Sequence, residues 1–286
     1  MSDWDLRPYQ QEILRIFLEY TKICKKYNLS YFAIGGTALG AVRHKGFIPW
    51  DDDFDVAMPR EDFNKFVRVV GSELPQCMRF IRGGTERRSP IYYGKILNYE
   101  KGLLDKLVKE MRVTTDREPS IDIFVLDGLP MCVTDVKKWW LGRRLLRLCQ
   151  LYRFPESATS SQIASGKKSF ILYLVCRIAG CFISLFYPRT KDNDSMMLMY
   201  DTYAMRWPYK TSKAVAEIAF FRMRTDRIFH RNIFGEGRVV PFEDVTIQIP
   251  ELAEQYLAQM YGKWKELPPE EYRIPEHLLH TAYNHV

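Results

Sequence analysis

The stretch Gly35-Gly36-Thr37-Ala38-Leu39-Gly40-Ala41-Val42-Arg43-His44-Lys45-Gly46-Phe47-Ile48-Pro49-Trp50-Asp51-Asp52-Asp53-Phe54-Asp55-Val56 joins a double-glycine turn to four carboxylates packed into five positions. Like charges at that density repel one another unless a cation neutralises them, so the segment reads as a divalent-metal and phosphate site. Just upstream, Tyr31-Phe32-Ala33-Ile34 is a short run of aromatic and apolar residues that enters the turn as a strand. Thr37 to His44 can then form a short helix whose first amides point back toward the turn. Asp53 to Met58 alternates acidic and apolar residues as a half-buried strand does, and Pro59 with Glu61 and Asp62 opens a helix through Phe66 and Val70. This order of strand, turn, helix, loop and strand brings the glycine pair and the carboxylates to one edge of a sheet.

Alternate side chains of a strand face the same way, which places Asp53 and Asp55 on one face with Cα atoms about 6.6 Å apart. Asp51 shares their parity and joins them if the strand begins early, whereas Asp52 points away. Carboxylates at that reach suit Mg²⁺, or Mn²⁺ in its place, because a hard octahedral ion takes a few carboxylates and completes its shell with water and substrate phosphate. Asp51, Asp53, Asp55 and, at the twelfth position, Asp62 also mimic a calcium loop, but Val56 stands where that loop needs glycine. An acidic turn with no ligand is the plainest alternative. The glycines lack Cβ atoms and let the backbone approach a phosphate, and a helix N-terminus after Thr37 offers unpaired amides. Arg43, His44 and Lys45 add positive charge, although His44 reads equally well as a helix cap.

The 286 residues suffice for a large core, and a composition 47% hydrophobic and 27% charged describes a folded chain without repeats or low-complexity tracts. The net charge of +7 comes from clusters at Arg143, Arg144, Arg147, Arg153, Lys167 and Lys168 and at Arg222, Arg224, Arg227 and Arg231. Such clusters suit a polyanion or are simply solvated faces. Six cysteines without paired spacing, and an acidic N-terminus without an apolar leader stretch, point to a reducing cytoplasm.

Pro8 to Tyr27 carries Ile13, Leu14, Phe17, Leu18, Thr21 and Cys24 at helical spacing and ends near Asn28. Ile91 to Leu97 and Ser120 to Leu126 read as strands, Val239 to Ile249 as a strand pair, and Pro250 to Tyr261 as a helix closed by Gly262. In Trp139 to Phe154 the periodicity sets Leu141, Leu145, Leu148 and Tyr152 on an inner face and Arg143, Arg144 and Arg147 on the outer one. Ser169 to Tyr187 is apolar but interrupted by Arg177, so it suits a buried or interfacial helix better than a bilayer span.

The motif Gly35-Gly36-Thr37-x-Leu39-Gly40-x-x-Arg43-His44-x-Gly46-Phe47-Ile48-Pro49-Trp50-Asp51-Asp52-Asp53-x-Asp55 resembles the signature of the LicD family of phosphocholine transferases, which includes the fukutin-related ribitol-phosphate transferases. Weaker echoes follow at Lys95-Ile96, at Ile121-Asp122-Ile123-Phe124-x-Leu126-Asp127-Gly128, and at Ile249-Pro250, Tyr261-Gly262 and Leu267-Pro268-Pro269. The resemblance implies an α/β (α+β) fold, a nucleotidyltransferase-like mixed sheet with surrounding helices and a helical insertion. Residues 1–130 would form the catalytic core, with 131–286 supplying the insertion and a C-terminal part that completes the same globule. It further implies a third carboxylate from a later strand at Asp122. Unaided reading also singles out that acid, lodged between Ile121 and Ile123, as metal ligand or general base.

On this reading Asp53, Asp55 and Asp122 are catalytic, Asp51 joins them around the metal, and Gly35, Gly36, Thr37, Arg43, His44 and Lys95 bind the donor phosphates. Lys95 reads equally as an ordinary lysine at a strand edge. The implied reaction moves a phospho-substituent from a cytidine diphosphate donor, CDP-choline or a CDP-alditol, to a glycan hydroxyl with release of CMP. Implied partners are that donor and a glycan acceptor that can be lipid-linked, with no nucleic acid, while the Trp139 to Phe154 helix and the apolar span after it predict peripheral contact with an anionic membrane at its inner face. A quaternary ammonium head group would want aromatic neighbours, for which Tyr92, Tyr93, Trp264 and Tyr272 are available. Two rival readings are a nucleotidyltransferase that releases pyrophosphate and an inactive membrane-associated scaffold. Intact Asp53, Asp55 and Asp122 argue against the scaffold.

Overall fold

A computed structural model describes residues 4–82, 93–112, 115–130, 132–153, 167–186, 193–217, 225–275 and 278. The chain opens with helix α1 (Arg7–Tyr27), which has Pro8 in its first turn and ends on a left-handed Asn28 at φ 50°. Strand β1 (Phe32–Ala33) leads into α2 (Gly35–Arg43), and a loop then delivers β2 (Asp55–Pro59) and α3 (Arg60–Glu73). The antiparallel pair β3 (Met78–Arg82) and β4 (Gly94–Asn98), helix α4 (Leu103–Met111) and the long strand β5 (Ser120–Leu129) complete the first half.

Helices α5 (Val133–Arg153), α6 (Lys167–Ser184) and α7 (Asn193–Ala204) follow, with both α6 and α7 packed on α5. Strands β6 (Ala214–Glu217) and β7 (Ile228–His230) return to the sheet, and the hairpin β8 (Arg238–Phe242) and β9 (Val245–Ile249) precedes α8 (Ala253–Tyr261). The main sheet runs β1-β2-β5-β4-β3, with β6 joined to β5 and β7 to β6. Among the described residues its one parallel pair is β2 with β5, and every other pairing is antiparallel. This is the mixed α/β sheet with surrounding helices that the sequence implies.

The core lies between the sheet and α1, α3 and α4, while α8 and the β8–β9 hairpin pack on α2 and β1. Helix α1 turns Ile13, Ile16, Phe17, Tyr20, Ile23 and Cys24 inward, whereas Leu18, expected inside, is exposed. The buried stripe is centred on the aromatics, because Phe17 and Tyr20 both pack on Tyr31. All six cysteines are free thiols.

The arginine face of α5 reverses the sequence expectation. Leu141 is 56% exposed, while Arg143 and Arg147 are only 2% and 5% exposed. Arg143 stacks on Trp139, Trp140 and Tyr200, 4.4–5.1 Å from the ring centroids, and Arg147 donates to Gln150 Oε1 at 2.7 Å. A guanidinium is weakly hydrated and stacks well on aromatic rings, so it enters where three such rings meet, and binary patterning misreads the helix. Arg144 alone of the expected outer three is exposed. In the second basic cluster, Arg227 pairs with Glu217 and Arg231 donates to the Ser212 carbonyl, whereas Arg222 and Arg224 lie outside the described residues.

Candidate active site

The acidic loop is pulled into place from three sides. Phe54 is fully buried against Phe17, Phe47 and Phe242, with ring centroids 4.6–5.9 Å away, while its neighbours Asp53 and Asp55 stay partly exposed. Gln10, buried on α1, donates its amide to the carbonyls of Ile48 and Asp51. Asp52 does face away from its neighbours' site: it is buried and accepts a hydrogen bond from the Leu278 amide at 2.6 Å. Regular strand starts only at Asp55, so Asp51 and Asp53 reach the site from the loop rather than from strand parity.

Pairing of β2 with β5 sets Asp55 opposite Asp122, and pairing of β5 with β4 sets Lys95 opposite Asp122. Directly paired residues share a face of the sheet, so these three polar residues form one row across three strands. Within it, Lys95 Nζ lies 2.7 Å from Asp122 Oδ1. Lys95 is not on a sheet edge, since β4 runs between β5 and β3.

The glycine pair meets the same carboxylates. Gly35 adopts φ +58°, donates its amide to the Tyr256 hydroxyl at 2.9 Å, and would place a Cβ 3.0 Å from Asp55 Oδ2. A Cβ on Gly36 would stand 2.7 Å from Asp51 Oδ2. The absent side chains therefore make room for the acids themselves. Thr37 Oγ1 accepts the Asp55 amide at 2.8 Å, which locks the start of α2 to the start of β2.

Arg43 donates to the carbonyls of Trp264 and Glu266 and so anchors the C-terminal segment, while His44 rests edge-on against Trp50. Burial lowers the pKa of both, with the Arg43 charge adding to the effect at His44.

Desolvation, and next the charge of Asp53, hold the Asp51 and Asp55 carboxyls well above the ordinary range; Asp122 and Glu217 press further on Asp55. Glu217 at the end of β6, only 5% exposed, was not legible in the sequence, because β6 reaches the site through long-range pairing with β5. Tyr93 hydrogen-bonds Asp122 and stacks on Phe124. Tyr261 feels the charges of Asp55, Asp51 and Asp53, and desolvation raises both phenols. Of the other aromatics named from sequence, Trp264 packs on the core, Tyr272 is exposed and Tyr92 lies outside the described residues.

The family model described as "LicD/FKTN/FKRP, nucleotidyltransferase domain" matches residues 28–156. Over those residues the chain is similar to the LicD family. It is 28% identical, over 97% of its own length and 98% of the relative's, to the lipopolysaccharide cholinephosphotransferase LicD of Haemophilus influenzae. Shorter matches reach uncharacterized proteins of Rickettsia typhi, 43% identical over 17% of this chain and 16% of the relative, and of Rickettsia prowazekii, 49% identical over 22% and 26%. The LicD match contains the glycine pair, Asp51, Asp53, Asp55, Lys95 and Asp122. Glu217, Tyr256 and Tyr261 reach the glycine pair and the carboxylates from outside the matched residues.

Among the described residues no set of three or more His, Cys, Asp or Glu side chains stands in ready metal-ligating geometry. The chemistry of the donors nonetheless suits a hard cation, since Asp51 and Asp55 are desolvated, crowded by like charge and partly open to solvent.

Proposed function

We propose that this protein is a LicD-family enzyme that transfers phosphocholine, or a related phospho-alditol, from a CDP-linked donor to a glycan hydroxyl and releases CMP. The observation that carries the reading is the convergence of Asp55 and Asp122, from neighbouring parallel strands, with Asp51 and the glycine pair. The match of residues 28–156 to the LicD model and the full-length similarity to a cholinephosphotransferase support the choice of chemistry. The free thiols accord with a reducing cytoplasm, where we place the enzyme.

In the reaction the acceptor hydroxyl oxygen attacks the phosphorus that carries the head group. A new P–O bond forms, the P–O bond to the CMP phosphate breaks, and its electron pair leaves with CMP. Asp122, held by Lys95, orients the hydroxyl and takes its proton. Gly35 and Gly36, by making room for the Asp55 and Asp51 carboxylates, set where the diphosphate lies. Asp51, Asp53, Asp55 and Asp122 would hold Mg²⁺ or Mn²⁺, which when bound neutralises diphosphate charge. Arg43 and His44 shape the rim by fixing the segment at Trp264 to Glu266.

The test is product analysis by mass spectrometry with CDP-choline and a CDP-alditol as donors and a glycan acceptor. CMP in step with a phosphocholine- or phosphoalditol-bearing glycan is expected. Pyrophosphate, or no turnover with any CDP donor, contradicts the reading. The exposed Asp105→Asn is a suitable neutral control, whereas a change at buried Asp52 would test folding instead.

A further inference from the structure

Helix α6 is two-sided. Cys176, Arg177 and Cys181 lie toward α5, where the Arg177 guanidinium donates to the Tyr152 carbonyl and Cys181 meets the Tyr152 hydroxyl. Leu174, Val175, Ile178 and Phe182 lie within an arc of about 100° on the other side. Those four are 48–65% exposed, and Leu185 and Phe186 extend the strip at 70% and 86%. A continuous row of six large apolar side chains in water is uncommon for a surface with no partner.

The charge around the strip identifies the partner. The sequences of α5 and α6 carry nine basic residues and one acid, Asp135. Lys167 and Lys168 open α6, and the charge of exposed Arg144 is felt at Cys176 beside Val175. A second copy of the chain would bring the same positive charge against itself, whereas an anionic surface complements both the charge and the apolar row. The 18 residues of α6 span about 27 Å, short of the roughly 30 Å hydrocarbon core. Among the described residues no helix is long and apolar enough to cross a membrane.

We propose that the outer face of α6 docks flat on an anionic lipid bilayer, with Leu174, Val175, Ile178, Phe182, Leu185 and Phe186 entering the interface and the exposed Arg144 and the lysine-bearing start of α6 at the headgroups. The inference does not rest on the transfer reaction. A soluble glycan acceptor reports the reaction and vesicles report the docking, so either can fail without the other.

The test is flotation of the full chain with vesicles of phosphatidylcholine alone or mixed equally with phosphatidylglycerol. The protein is expected to float with the anionic vesicles only, and raised salt should release it. The pair Ile178→Asn with Phe182→Ser should weaken flotation by about tenfold or more, given the apolar area lost, with the unfolding temperature kept. Lys167→Gln with Lys168→Gln should weaken it as well and decides the matter if the first pair misfolds. Absence of flotation overturns the proposal, as does equal flotation by the folded variants. So does self-association that the apolar pair abolishes without any vesicle binding.

Discussion

At the scale of single residues the site is defined by what Gly35 and Gly36 leave out. The space a Cβ would fill is taken by the carboxylate oxygens of Asp55 and Asp51. Gly36→Ala must displace Asp51, because 2.7 Å lies inside any carbon–oxygen contact. It should lower kcat/KM by about 100-fold, the cost of a roughly 1 Å misplacement, while the unfolding temperature changes little. Steady-state kinetics beside a thermal melt checks this.

The acids also make stability depend on pH in an unusual sense. Asp51 and Asp55 are harder to ionise when folded than when unfolded, so the stability they contribute is complete below the ordinary carboxylate range. It is lost as pH rises toward their raised values. A cation that binds the ionised carboxylates works in the opposite direction. The rise in unfolding temperature on adding Mg²⁺ should therefore be larger at mildly alkaline than at mildly acidic pH, and Asp55→Asn should flatten that difference. Scanning calorimetry of chelator-treated protein measures it.

At the scale of elements, α5 shows why a hydrophobic pattern can mislead. Arg143 sits inside because three rings receive it, and two of them, Trp139 and Trp140, come from its own helix. Arg143→Ala should destabilise the protein by about 2 kcal/mol through lost stacking and packing, and Arg143→Lys should recover only part. Denaturant unfolding of the two variants separates these outcomes. Elements with local signals were legible: α1 from its Pro8 start and Asn28 stop, and the turn, α2 and β2 from the glycines and alternating acids. Asp122 stood out because an acid between two isoleucines needs a reason. Glu217, Tyr256 and Tyr261 gave no such signal, since what makes them part of the site is strand pairing and packing across more than ninety positions of sequence. The loop start of β2 was also hidden, because the fully buried Phe54 mimics one more step of strand alternation.

At the scale of the whole molecule, one buried ion pair joins the sheet to the helices that follow it. Arg60, at the start of α3, makes two bonds to Asp127 on β5 at 2.6 and 2.7 Å and a third to Asp201 on α7 at 3.2 Å; Arg82 also reaches Asp201. Asp127→Ala would leave a buried guanidinium half-answered, with an expected loss of about 3–5 kcal/mol, whereas a volume-matched apolar replacement of both partners should cost less. Equilibrium unfolding of the single and double variants checks that order.

The central claim is that carboxylates carried to one place by β2 and β5 act as one catalytic unit. The direct measurement is a double-mutant cycle on kcat/KM with Asp55→Asn and Asp122→Asn. Groups that act as a unit lose their function once, so the double variant should be no worse than about tenfold below the poorer single variant. Losses that multiply in full, or a single variant that keeps wild-type turnover, would contradict it.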